Sequence, residues 1–276
     1  MRKRIFRGAS FLLLTLSLPA IAWNLSDTTT VKDTVIKHSE TKPDTNPAEE
    51  KPSTSAMFDS YVSEIYTAAS LKESALNYNV FKKALTGYYN FKSRSLVSSA
   101  KEVISIVDFT LPSTQKRLWI IDLAARKVLF NTLVAHGQGS GNNFATSFSN
   151  LANSHQSSLG FYITSNTYFG KHGLSLKLNG MDANYNTNAL NRAVVVHGAE
   201  YVSQSFINQH GRLGRSHGCP AVPVELTASI IDAIKGKTTL FINGPAEKKY
   251  SSNYLDESLA ASLYSNTSKA PLQAVL

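Results

Sequence analysis

From about residue 101 the chain is divided into short runs rich in β-branched and aromatic residues, each bounded by turn-forming ones. That pattern constrains the fold more than any other feature. Val103-Ile104-Ser105-Ile106-Val107 is the first such run. Residues 118–122 and 128–134 flank Ala124-Ala125-Arg126-Lys127, which reads as a hairpin. Further runs cover 160–164, 174–178, 193–196 and 238–242. One late helix is predicted from about 224 to 235, with Pro223 near its start and Gly236 just past its end. Many short strands with peripheral helices predict a mainly β (α+β) fold, a β-sandwich or a partly closed barrel. This body spans 99–250.

The flanks read differently. Phe58, Val62, Ile65, Tyr66 and Ala69, then Leu76, Val80, Phe81, Leu85, Tyr88 and Tyr89, recur at helical spacing. The segment 56–98 is therefore one or two helices docked on the β-rich body. Residues 23–55 are rich in Thr, Ser, Asp, Lys and Glu and contain Pro43, Pro47 and Pro52. They bury little and read as a flexible linker. Ahead of them, Arg2, Lys3, Arg4 and Arg7 precede an apolar run over 11–18 and the small-residue site Ala20-Ile21-Ala22. This reads as a signal peptide, 1–22, cut after Ala22, so the mature chain is exported. No cysteine near that site is available for lipid, and no later stretch is apolar enough to span a membrane. The tail, 251–276, is ambiguous, with Leu255, Leu259 and Leu263 hinting at a short helix.

Composition narrows the partners. A hydrophobic fraction of 42% with 17% charged residues supports a sizeable core. The formal charge of +9 falls to +5 once the four basic residues of the leader are removed. That mild excess favours an anionic partner such as a cell-wall polymer or lipid headgroups. No basic stripe with interleaved aromatics is present, which argues against nucleic acid.

The chemistry centres on the single cysteine, in Gly214-Arg215-Ser216-His217-Gly218-Cys219-Pro220-Ala221-Val222. A lone cysteine forms no internal disulfide, so Cys219 is buried, bonded to a partner, or reactive. His217 stands two residues before it and can point to the same side in an extended or tightly turned backbone. Gly218 lets another group approach the main chain. Upstream, His197-Gly198 closes the apolar run 193–196, so a buried strand ends in an imidazole. A neutral imidazole near Cys219 can take the thiol proton or form a thiolate–imidazolium pair with it. Its ordinary pKa of about 6.5 suits proton transfer near neutrality.

His197-Gly198 followed by Ser216-His217-Gly218-Cys219 resembles the signature of the L,D-transpeptidase catalytic-domain family, cysteine enzymes that remodel bacterial peptidoglycan. Supporting stretches are residues 136–141, 147–150, 157–162, 168–173 and 211–216, and the resemblance covers roughly 100–245. It implies an L,D-transpeptidase-like fold and places the exported protein in the periplasm or cell envelope. It implies Cys219 as nucleophile and His197 as proton acceptor, with a main-chain carbonyl near Gly198 orienting the ring. The amides of Gly218 and Cys219 would stabilise the tetrahedral oxyanion. His217 would tune the thiol or act as the rival base, and Ser216 would support the turn. Arg212 and Arg215 would hold a carboxylate of the stem peptide, with Tyr168 and His172 also at the substrate.

The implied reaction is ping-pong acyl transfer from a tetrapeptide stem, with release of D-alanine and cross-linking of diaminopimelate residues. It needs no metal or organic cofactor. Water as acceptor would make the same site an L,D-carboxypeptidase, and a protein amine would attach an envelope protein. A module that binds peptidoglycan without turnover is the non-enzymatic alternative. Two departures from the family pattern stand out. Eighteen residues separate His197 from Ser216, slightly more than in most members. Pro220-Ala221 follows the cysteine where many members have an aliphatic residue and then Asn or Arg, so another residue must supply that substrate contact.

Two other chemistries compete on paper. Gly214-Arg215-Ser216-His217-Gly218 fits the elbow of serine hydrolases, but no apolar strand precedes it, Pro220 and Pro223 obstruct an immediate helix, and no later histidine follows. His197, His210, His217 and Cys219 offer zinc-binding atoms, yet neither H-E-x-x-H nor a paired Cys-x-x-Cys is present.

Overall fold

Side chains alternating between two buried clusters organise the sheet. In strand β1 (Val103–Asp108), Ile104 and Ile106 face one hydrophobic cluster while Val103 and Val107 face another. The same split occurs in β2 (Leu118–Asp122), where Trp119 and Ile121 oppose Leu118 and Ile120. Successive side chains leave a strand on opposite faces, so these strands need cover on both. The structure, a computed structural model, describes residues 52–269. The expected signal peptide 1–22 and most of the expected linker 23–55 lie outside these residues, as does the end of the tail.

The remaining strands are β3 (Lys127–Thr132), β4 (Gly160–Gly170), β5 (Gly173–Gly180), β6 (Val195–Gly198), β7 (Ala221–Val222) and β8 (Thr239–Asn243). They form a single eight-stranded sheet in the order β3-β2-β1-β8-β4-β5-β6-β7. The chain beyond β3 then reaches the far edge. Ala135 N–H donates to the Ala221 carbonyl at 2.9 Å, and Ser216 N–H donates to the His136 carbonyl at 3.0 Å. The sheet is thus nearly closed on itself, the barrel alternative rather than the two-sheet sandwich.

Helices cover the two faces. α1 (Thr54–Ala68) is capped by the Ser53 hydroxyl and α2 (Tyr78–Ser93) by the Asn77 side chain. Both pack on the Ile104, Trp119, Phe161 and Phe241 side of the sheet. Phe58, Phe81, Leu85 and Phe91 are fully buried there, each worth roughly 1.5–3 kcal/mol of transfer free energy. The helical segment therefore braces the sheet, and no residue of α1 or α2 lines the cleft that holds Cys219. α4 (Thr227–Ile234) covers the other cluster with Ile230, Ile231 and Ile234.

Several boundaries differ from expectation. The predicted linker ends early, because α1 begins at Thr54. The helix predicted over 224–235 starts as a 3-10 turn, Val224–Leu226, before α4 proper. A short helix, α3 (Gln204–His210), was not anticipated. Its signals are the Ser203 hydroxyl, which caps the Phe206 amide, and Gly211 in the left-handed region behind it. The tail forms a full helix, α5 (Glu257–Lys269), which packs on α1 and α2. Lys82 bridges Asp59 of α1 and Glu257 of α5 at 2.9 and 3.0 Å. β4 and β5 also run further than their apolar cores. They join in a long hairpin whose tip carries Lys171 and His172, with a register shift between Thr164 and Thr167.

Candidate active site

Strand register brings the chemical residues together. β5 and β6 pair Ser175 with His197, and β6 and β7 pair His197 with Ala221, two residues beyond Cys219. β4 adds Tyr168 opposite Ser175. Partners in register share a face, so Tyr168, Ser175 and His197 form one row ending at the cysteine turn. His197 lies inside β6 rather than after it, because Gly198 still pairs with Val222. Gly198 is needed there, since a side chain on it would collide with the Thr227 hydroxyl of α4.

Cys219 and His197 line one cleft of about 390 Å³, together with Tyr168, Lys171, His172, Ser175, Arg192, Tyr201, Arg215 and His217. His197 is 2% exposed. Its Nδ1 lies 2.9 Å from the Gly198 carbonyl oxygen. A carbonyl only accepts, so the neutral ring carries its proton on Nδ1 and leaves Nε2 unprotonated. The ring stacks on His172 from the hairpin tip at 4.4 Å. Burial lowers the His197 pKa below the ordinary imidazole value; the Gly198 carbonyl opposes this, while His172 and Lys171 add to it.

The sulfur is held by strand entry. Val195 N–H donates to Sγ at 3.5 Å, and the thiol donates to the Ala193 carbonyl at 3.6 Å. Ala193 adopts a left-handed backbone, φ 52°, to present that carbonyl. Burial raises the Cys219 pKa; the Val195 amide, Arg192 and Lys171 pull it down but do not win. Burial thus disfavours the charged form of each group, the thiolate of Cys219 and the imidazolium of His197.

The turn Ser216–Cys219 is built around one hydroxyl. Ser216 Oγ donates to the Cys219 carbonyl at 2.7 Å and accepts from the Gly218 amide at 3.0 Å. The Gly218 amide, expected at the oxyanion, donates to Ser216 in this structure, with φ at 121°. Gly218 is a pivot. A Cβ there would sit 2.7 Å from the Gln156 carbonyl and 3.1 Å from Arg192. Gly218→Ala is expected to destabilise the fold by about 1–3 kcal/mol and to lower acylation at least ~100-fold by displacing the thiol. Thermal melting and thioester formation followed by mass spectrometry check both.

Other expected residues are engaged elsewhere or lie outside the cleft. His217 is exposed and stacks on His155 at 4.2 Å, almost coplanar at 11°. Arg215 lines the cleft but is tied to the Gly141 carbonyl and Asn142 at 3.0 and 2.9 Å. Arg212 does not line the cleft and bonds the adjacent Leu213 carbonyl. His210 sits on α3 against Phe206. Among the described residues, no group of three or more His, Cys, Asp or Glu is placed to hold a metal ion.

Arg192 was missed. Its guanidinium donates to the Ser149 and Gln156 carbonyls and to the Ser154 and Ser158 hydroxyls, fastening the 149–158 loop beside Gly218 and the thiol. An arginine just ahead of a buried strand was the only signal. With Lys171, Arg192 and Arg215 and no carboxylate on its walls, the cleft is cationic and matches an anionic ligand.

Solved structures give weak overlays. An L,D-transpeptidase from Mycobacterium smegmatis matches with TM-score 0.33 and 12% identity, over 52% of this chain and 59% of that one. L,D-transpeptidase 3 from Mycobacterium tuberculosis gives 0.34 and 8%, over 52% and 61%. An L,D-transpeptidase from Stackebrandtia nassauensis gives 0.30 and 15%, over 59% and 66%. The chain spans less than two thirds of each of these. No curated protein matches it. The family model for the L,D-transpeptidase catalytic domain matches residues 72–243, more than half of the sequence and every residue of the cleft, and the chain belongs to that family.

Proposed function

We propose that this protein is an exported cysteine L,D-transpeptidase acting on tetrapeptide stems of peptidoglycan in the bacterial envelope. The observation that carries the reading is the shared cationic cleft of Cys219 and His197, with the Nδ1 proton of His197 fixed by Gly198. No helix among the described residues is long and apolar enough to cross a membrane.

His197 Nε2 takes the thiol proton as Sγ attacks the carbonyl between diaminopimelate and the terminal D-alanine. The Cys219 amide is the donor proposed for the developing oxyanion, since Gly218 is committed elsewhere. The C–N bond breaks, the imidazolium protonates the leaving amine, and a thioester remains. An amine of a second stem then attacks the thioester. Its proton passes to His197 and on to the departing thiolate. A third-residue cross-link forms and the free thiol returns.

Incubation of the mature protein with tetrapeptide muropeptides tests this. Released D-alanine with a cross-linked dimer is the expected product pair. D-alanine without dimer indicates water as acceptor, a mass shift on an envelope protein indicates a protein amine, and binding to sacculi without product overturns the enzymatic reading. The pH profile is a further check. Activity requires neutral His197, whose pKa is lowered, so the acid limb of kcat/KM falls below pH ~6.5. The thiol stays protonated past its ordinary value of 9.0 because burial raises it. A plateau across neutrality is therefore expected. Activity that appears only with free thiolate, above about pH 9, contradicts base catalysis by His197.

A further inference from the structure

A second cavity of about 320 Å³ is lined by Tyr168, Lys177, Leu190, Ala193, Val194 and Val195. It shares Tyr168, Ala193 and Val195 with the catalytic cleft. Ala193 and Val195 are also the residues that hold the sulfur. The two spaces therefore neighbour each other through shared walls.

Its chemistry is specific. Lys177 pairs in register with Val195, two residues along the strand from the Ser175–His197 pair, so it shares their face. Its ammonium lies 5.5 Å from the Tyr168 ring centroid. No carboxylate lines the cavity, and Lys177 is in none of the salt bridges of the described residues. The other walls are apolar, and Leu190 is 54% exposed although it faces an apolar pocket. One cation without a carboxylate partner, beside largely apolar walls, fits a small apolar residue ending in a carboxylate. It repels an ammonium, so an amine acceptor is a poor occupant.

We propose that this cavity receives the departing terminal residue of the acyl donor, with Lys177 as counter-ion to its free carboxylate. The inference rests on the proposed peptidase chemistry and adds to it the recognition of the chain end. The long stem, with its other carboxylates, then lies along the larger cleft under Lys171, Arg192 and Arg215. Lys177 is a specificity residue: it makes the enzyme read a free C-terminus.

Two donors test it: a tetrapeptide stem ending in D-alanine, and the same stem ending in D-alaninamide. The wild type is expected to prefer the acid about tenfold or more in kcat/KM. Lys177→Met should bring the acid-to-amide ratio close to one, mainly through KM, and Lys177→Arg should restore the preference. Lys177 is exposed, and unchanged melting temperatures would show that both variants fold. A wild-type ratio of one, or a Lys177→Met variant that keeps the preference, overturns the inference while leaving the peptidase reading in place. No turnover of either donor by the wild type overturns both.

Discussion

Cys219→Ala is expected to eliminate D-alanine release and thioester formation, lowering turnover by at least ~10⁴-fold, while the fold persists. The size follows from the mechanism: without the sulfur there is no acyl-enzyme, and the remaining amide and imidazole cannot form one. The folded state loses little. Sγ makes only two long contacts, to Val195 and Ala193, and the residue is half-buried. Removing it should cost no more than about 1 kcal/mol. Intact-protein mass spectrometry after exposure to a muropeptide donor reads the adduct, and a melting curve reads the fold. An adduct on Cys219→Ala would remove the thiol from the mechanism.

His197→Ala is the second large effect. It should lower acylation by about 10²–10⁴-fold, whereas His217→Ala should change it less than about tenfold. The two histidines differ in environment. His197 is buried, and its tautomer is set by Gly198. His217 is exposed and stacked on His155. His197→Ala also removes the ring that stacks on His172, so some stability loss is expected, and a second readout is needed. Added imidazole should partly restore acylation in His197→Ala if the ring acts as a base, and should do nothing if its role is only packing. The reverse ranking of the two variants would make His217 the base.

What could be read from the residues was whatever depends on alternation or on short spacing. The runs at 103–107, 118–122 and 238–242 became strands because each alternates between two hydrophobic clusters. Cys219 and His197 were legible as candidates from their glycine neighbours. Partnerships across the chain were not. The role of Ser216 as a double hydrogen-bond centre depends on φ at Gly218, which no spacing encodes. Arg192 belongs to no motif, and its importance comes from a loop some forty residues earlier that folds around it. The extension of β4 and β5 over 165–173 was hidden because those residues are held by cross-strand pairing, not by apolar content. α3 offered too few apolar positions for its period to show, with Ile207 its only buried residue.

The meeting of α1 with α5 ties together the two ends of the described residues. Tyr61 stacks on Tyr264 at 4.3 Å, and Phe58 and Tyr89 lean on the same ring. Near the same end of the sequence, Tyr250 and Ser252 donate hydrogen bonds to Asp182. The first helix thus obtains part of its cover from residues about two hundred positions later in the sequence. Loss of α5 would uncover the aromatic faces of α1 and α2, although α5 lines no part of the cleft that holds the thiol.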